Sequence, residues 1–143
     1  LETALREGHA VGGAGSAEIR TAIELRKFAE RLSGREQLAI HAFANALEVI
    51  PTTLAENAGL DPLDVLTELK AAHEQGERWA GINVFSGKVM NGWEEGVIEP
   101  LQVKTQAISS ASEVATMILR IDDVIAGKPE GREDRSPGAG LEY

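Results

Sequence analysis

Residues 22–51, AIELRKFAERLSGREQLAIHAFANALEVIP, decide how this chain folds. Ala22, Leu25, Ala29 and Leu32 recur at helical spacing. Glu18 and Glu24 lie early in that segment and Arg26, Lys27 and Arg31 late, the order that complements a helix dipole. Ser33-Gly34 interrupts the pattern, and Leu38, Ala42, Phe43, Ala46 and Ile50 carry a second stripe. That stripe is expected to end before Pro51, because the residue preceding a proline avoids helical dihedrals. Two amphipathic helices, near 16–33 and 35–50, joined by so short a link predict an antiparallel hairpin.

The same grammar extends outward. Pro51 is read as opening a short helix through Leu54 and Ala55, closed by Asn57 and Gly59. Asp61-Pro62 opens another by the N-cap and first-turn proline rule, with Leu63, Leu66 and Leu69 on one face and Gly76 as its stop. Between Gly81 and Gly96 the pattern shortens to extended pieces at 82–85 and 88–90, separated by Ser86-Gly87 and followed by Asn91-Gly92, which predicts a small hairpin region. Pro100 reopens helix, with Val103, Ala107, Ala111, Val114 and Ile118 as its stripe. Residues 118–125 continue that helix or turn into a C-terminal strand; the pattern leaves both open. Residues 127–143, rich in Gly, Pro and charge, read as a disordered tail. At the other end, Leu1, Ala4 and Leu5 read as the close of a helix begun earlier, so the expectation is a piece of a longer chain. The fold class is mainly α with a small β-hairpin region.

With 143 residues and 43% hydrophobic content the chain has material for one modest core. A formal net charge of -9 argues against gripping a phosphate backbone over a broad surface. Cysteine is absent, which removes disulfides, thiolate metal sites and cysteine nucleophiles. The sequence holds no run of about 18 apolar residues and no basic segment followed by an apolar one at its N-terminus; a cytoplasmic location is the expectation.

Chemistry is sparse. Residues 8–16 form a glycine-rich loop ahead of a helix that Ser16 is placed to cap. Such a loop lets backbone approach a nucleotide, and helix N-terminal amides favour anions. It is not a phosphate-binding P-loop, lacking the terminal Gly-Lys-Ser/Thr, nor a full GxGxxG, since Glu18 stands where the last glycine belongs. His9, His41 and His73 have no metal-ligand spacing. Glu94, Glu95 and Glu99, like Asp122 and Asp123, read as solvated carboxylates on an acidic chain, and Ser109, Ser110 and Ser112 have no histidine near them in sequence. The residues alone give a mostly helical domain without a catalytic constellation.

Longer runs say more. GREQLAI at 34–40, ALEVIP at 46–51 and LAENAGLDP at 54–62 strongly resemble group II chaperonins of the thermosome type. GINVF at 81–85, GVIEP at 96–100, VKTQA at 103–107 and MILRIDDVI at 117–125 continue the resemblance in the family's order, over about residues 1–126. It implies that residues 1–12 end a connection from the intermediate domain and enter the glycine loop, that 13–126 are the C-terminal part of an equatorial ATP-binding domain, and that 127–143 are the tail. It further implies that Gly13, Ala14 and Gly15 lie beside the ribose and base, that Asn83 and Val84 face the adenine, that Val97 packs on the base and that Glu99 accepts a ribose hydroxyl. ATP and ADP are the implied nucleotides. Magnesium is implied for the full subunit, with its ligands and the phosphate loop in segments this chain does not contain, so no catalysis is expected from the chain alone. The implied partners are other subunits of a double ring, the subunit's N-terminal half and unfolded protein substrates, with neither nucleic acid nor membrane among them. Two departures stand out. Ala14 replaces the middle glycine of three, where a methyl threatens the ribose or the backbone angle, and Asn91-Gly92 replaces Asp-Met, which is expected to loosen that segment. Both favour the alternative reading, a helical assembly module that binds no nucleotide, whereas the intact Asn83 and Glu99 favour the nucleotide reading.

Overall fold

A computed structural model describes residues 2, 6 and 8–121. The chain forms two compact units, Leu1–Ser109 and Ser110–Tyr143. In the first, β1 (Ala10–Gly12) leads through the glycine loop to α1 (Ser16–Ala29), α2 (Gly34–Asn57) and α3 (Pro62–Glu74). A hairpin of β2 (Ala80–Asn83) and β3 (Lys88–Asn91) follows, then β4 (Ile98–Pro100), then α4 (Leu101–Leu119), which ends in the second unit. There the amides of Arg120 and Ile121 bond the carbonyls of Met117 and Ile118, so the chain stays in a helical turn past Ile118. The rest of the possible C-terminal strand, the tail at 127–143 and all of the N-terminal stub but Glu2 and Arg6 lie outside the described residues.

The helical hairpin forms as the sequence predicts. The site where a Gly15 Cβ would sit is 2.8 Å from Pro51 Cβ, while Arg26 donates to Asn45 Oδ1 at 2.8 Å and to Glu48 at 2.7 Å, so α1 and α2 run antiparallel. Ala22, Ala44 and Leu47 are buried between them, with Leu25 and Ile108 packed alongside. A larger cluster of Ile19, Ile23, Ala55, Val65, Leu69 and Ile82 joins α1, α2, α3 and β2.

Three expectations need correcting. The second helix does not stop at Ile50: α2 runs unbroken through Pro51 to Asn57, so the short separate helix is its last turns. A proline inside a helix forfeits a backbone bond and costs about 3 kcal/mol. Here Pro51 is fully buried against the glycine loop, and Thr52 Oγ1 donates to Glu48 O at 2.7 Å in the same turn, so tertiary packing overrides the local signal. On α3 the cap is as expected, Asp61 Oδ1 accepting from Leu63 N at 2.8 Å and Asp64 N at 3.4 Å. Leu69 is buried with Leu66 packed against the same cluster, but Val65 and His73 join the inward face in place of Leu63. Leu63 is 74% exposed. Ser16 is the first helical residue rather than the cap; Gly15 holds the N-cap position with φ +79°.

Strand pairing shows what periodicity missed. The β2–β3 hairpin has the register Ala80↔Asn91, Gly81↔Met90, Ile82↔Val89, Asn83↔Lys88. β1, read as loop, pairs antiparallel with β4, setting Val11 opposite Glu99 and Gly12 opposite Ile98. On α4, no described residue is buried; Val103 and Val114 of the expected stripe are exposed, while Lys104 and Ile108 turn inward in the first unit.

Glu48 fastens three helices. Its carboxylate, nearly buried on α2, lies 2.7 Å from Arg26 of α1 and 3.0 Å from Lys70 of α3. Glu48→Gln strips the counter-charge from both cations, but these are 31% and 35% exposed and regain water. The expected loss of stability is therefore about 1–2 kcal/mol, between the values for surface and buried pairs. Urea denaturation at low and high salt checks it: the loss should shrink as salt screens the charges, and a loss insensitive to salt would point to packing instead.

Candidate functional site

The glycine loop and β4 meet face to face. Gly13 N donates to Val97 O at 2.8 Å, and the place a Gly13 Cβ would occupy is 2.9 Å from Glu99 Oε1 and 3.1 Å from Val97 Cγ1. Any side chain at residue 13 would have to displace Glu99 or Val97. Behind the loop, Ile82 N donates to Ala14 O at 3.0 Å, which lays the end of β2 along it. The loop at 13–15 thus meets Val97 and Glu99, held there by the β1–β4 pairing, and separately meets Gly81 and Ile82 of β2.

Ala14 takes φ +55°, a left-handed angle that costs a side-chain-bearing residue about 1–2 kcal/mol. Its methyl packs against the cluster of Ile19, Leu69 and Ile82, and lies 3.1 Å from where a Gly81 Cβ would be. The core takes up the methyl and offsets part of the strain. Gly15 follows with its Cα turned toward Pro51, so its missing side chain is explained by its left-handed φ and by packing, without a ligand.

Glu99 does not stand by itself. Its Oε2 is 2.9 Å from Lys104 Nζ, and the same ammonium donates to Glu18 Oε1 at 2.6 Å. Glu18, on the first turn of α1, is 4% exposed, and its Oε2 is enclosed with no hydrogen-bond partner. Burial alone would lower the Lys104 pKa, but the hydrogen bonds it donates to Glu18 and then Glu99 outweigh it and raise the pKa above the ordinary lysine value. Two carboxylates and one ammonium leave a net negative charge, and the more exposed member of the set is Glu99. Sequence reasoning missed both companions. Glu18 read as an ordinary first-turn acid, and it lies 86 residues from Lys104.

Asn83 sits at the end of β2 with its Oδ1 already engaged, accepting from Phe85 N at 3.0 Å and Ser86 N at 3.1 Å. That leaves its amide NH2 as the group able to donate to a ring nitrogen. Val84 is half-exposed next to it. Asn91 makes the same kind of turn, Oδ1 accepting from Trp93 N at 3.1 Å and Glu94 N at 3.4 Å. Gly92 is buried, donates to Trp79 O at 2.9 Å and accepts from Val97 N at 2.8 Å. The segment expected to be loosened is therefore hydrogen-bonded on both sides. The chain's two tryptophans, Trp79 and Trp93, stack with ring centroids 5.4 Å apart beside Gly12.

Among the described residues no group of three or more His, Asp or Glu is placed to hold a metal ion. His73 is a core residue, its Nε2 2.9 Å from Ala80 O; burial lowers its pKa, and Arg20 adds to this against the opposing Ala80 bond.

The site is thus a glycine loop lying under a carboxylate, with the end of a hairpin strand beside the loop, on a helical core. The model of the TCP-1/cpn60 chaperonin family matches residues 1–129, and the chain belongs to that family. It is 61% identical over 137 residues to the thermosome subunit beta of Archaeoglobus fulgidus, covering 96% of this chain and 25% of that protein. To the thermosome subunit of Methanocaldococcus jannaschii it is 57% identical over 143 residues, covering 99% of this chain and 26% of that protein. An open-state monomer of a group II chaperonin from Methanococcoides burtonii superimposes with a TM-score of 0.76 at 55% identity, covering 78% of this chain and 28% of that one. The chain thus spans about a quarter of the length of the curated relatives it matches.

Proposed function

We propose that this chain supplies the nucleoside side of the ATP pocket in a group II chaperonin subunit, together with part of its ring-assembly surface. In the assembled cytoplasmic double ring, ATP binding and hydrolysis would drive enclosure and folding of substrate proteins. The observation that carries the reading is the approach of Glu99 and Val97 to Gly13, since a carboxylate and an aliphatic face over a side-chain-free loop suit a ribose and a base. Asn83, through its remaining NH2 donors, would address the adenine, with Val84 beside it. Ala14 does not argue against this, because its methyl belongs to the core.

Phosphoryl transfer depends on positioning the phosphates and on metal-borne charge stabilisation. Neither is assigned to this chain's side chains. The isolated chain is therefore expected to show no magnesium-dependent ATP hydrolysis, whereas the chain completed with the N-terminal half of a thermosome subunit should bind ATP and ADP and shift the emission of the Trp79–Trp93 pair. Turnover above the buffer rate by the isolated chain would overturn the division of labour. A completed, folded chain that binds neither nucleotide would return the reading to an assembly module.

A further inference from the structure

We propose that Glu18 is a positioning residue for the nucleoside site: through Lys104 it fixes the carboxylate of Glu99 relative to the glycine loop. The inference rests on the ribose reading of Glu99 and goes beyond it, since Glu18 touches neither the loop's open face nor, in this assignment, the nucleotide.

The geometry is a chain of two short bonds. Glu18 Oε1 to Lys104 Nζ is 2.6 Å and Lys104 Nζ to Glu99 Oε2 is 2.9 Å. Each end is anchored differently. Glu18 is 4% exposed and sits on the turn that begins immediately after Gly15, so it is rigid with respect to the loop. Glu99 belongs to a three-residue strand, and its side chain is 37% exposed. A lysine has several rotatable bonds and loses much rotamer freedom when fixed. A bond to a half-exposed glutamate alone would leave both groups mobile; the buried Glu18 pins the ammonium, and the ammonium pins Glu99 Oε2.

Charge points the same way. If Lys104 had Glu99 as its sole partner, the pair would be neutral and the ammonium would compete with any ligand hydroxyl for the carboxylate. With Glu18 sharing the ammonium, Glu99 keeps part of its negative charge for an acceptor role. The orphaned Glu18 Oε2 reinforces this, because a buried carboxylate with an unsatisfied oxygen is costly to keep and is not explained by helix-dipole complementarity alone.

The test uses the completed subunit and compares ATP with 2′-deoxy-ATP and 3′-deoxy-ATP by calorimetric titration. Glu18→Gln keeps shape while removing the charge that holds Lys104. The expected result is about three- to tenfold weaker ATP binding, the scale of one mispositioned hydrogen bond. Binding of whichever deoxy analogue lacks the relevant hydroxyl should be unchanged, so the ribo-to-deoxy ratio falls. In a Glu99→Ala background, Glu18→Gln should have no further effect on that ratio. If Glu18→Gln lowers the melting temperature but leaves the ratio as in the parent, Glu18 is structural only and the proposal falls. If Glu99→Ala itself leaves the ratio unchanged, the ribose reading fails and the proposal with it. Should Glu18→Gln not assemble, Glu18→Asp withdraws the carboxylate by one methylene at constant charge and is read by the same ratio: a fall supports the positioning role, and an unchanged ratio overturns it.

Discussion

Gly15→Ala is expected to destabilise the chain by about 2–5 kcal/mol. Two costs add. Gly15 has φ +79°, where an L side chain pays about 1–2 kcal/mol. The new Cβ would also lie 2.8 Å from Pro51 Cβ and 3.3 Å from Pro51 Cα, and Pro51 is a rigid ring inside α2 that cannot rotate away. Overpacking of that kind costs about 1–3 kcal/mol. Gly34 provides the internal control: it has φ +66° but nothing within 4 Å of its would-be Cβ, so Gly34→Ala should pay the backbone cost alone. Urea denaturation of the two variants separates the terms. If Gly15→Ala costs no more than Gly34→Ala, the Pro51 contact is not what requires glycine. A large excess would explain why Pro51, unfavourable for its own helix, is worth keeping: it closes the joint between α2 and the loop that enters α1.

That joint shows where the sequence was legible and where it was not. Helix periodicity is a local property, so α1, α3 and the first two-thirds of α2 followed from spacing, and the start of α3 also from its Asp61 cap. Pro51 misled because the rule for residues before proline is also local, whereas the packing that keeps α2 continuous comes from Gly15, 36 positions earlier. The β1–β4 pair was invisible for a related reason: each strand has three residues, too few to show alternation, and their pairing spans the whole helical core. On α4 the apolar stripe was real as a pattern, yet Val103 and Val114 are exposed and the inward positions in the first unit are Lys104 and Ile108. A stripe reports what can be buried, not which face this part of the molecule buries.

For the candidate site, the residues alone gave a glycine loop of no special kind. The proposed roles of Asn83, Val84, Val97 and Glu99 came from resemblance, because no spacing rule relates residues 13, 83 and 99. What the structure adds is that Val97 and Glu99 approach Gly13 and that β2 runs along the loop at Ala14. A side chain at Gly13 would push against Glu99 and Val97, and Asn83 Oδ1 is already committed to its turn. The triad of Glu18, Lys104 and Glu99 was beyond sequence reasoning, since a charge at helical spacing looks the same whether its partner is solvent or a buried ammonium.

Glu99→Ala, in a chain completed with its N-terminal half, is expected to weaken ATP and ADP binding alike by about 10- to 150-fold. A carboxylate accepting a sugar hydroxyl makes a charge-assisted bond, and losing one costs about 1.5–3 kcal/mol. The effect should be equal for the two nucleotides, because the ribose is common to both. The fold should be nearly unaffected. Glu99 lies on β4, two residues before α4 begins at Leu101, and after its removal Lys104 retains Glu18 at 2.6 Å as a counter-charge. The competing account is that Glu99 serves only the structure, as a partner for Lys104 or an aid to the start of α4, in which case its loss would cost about 1 kcal/mol of stability and no affinity. Titration calorimetry and thermal melting on the same protein decide between them. An unchanged melting temperature with weakened binding supports the ribose role; a lowered melting temperature with unchanged binding overturns it. Lys104→Met sharpens the contrast, since it keeps the apolar stem while leaving both carboxylates unpaired. If Glu99 acts on the sugar from a position set by the ammonium, Lys104→Met should weaken nucleotide binding and destabilise the fold together, whereas Glu99→Ala should do only the first.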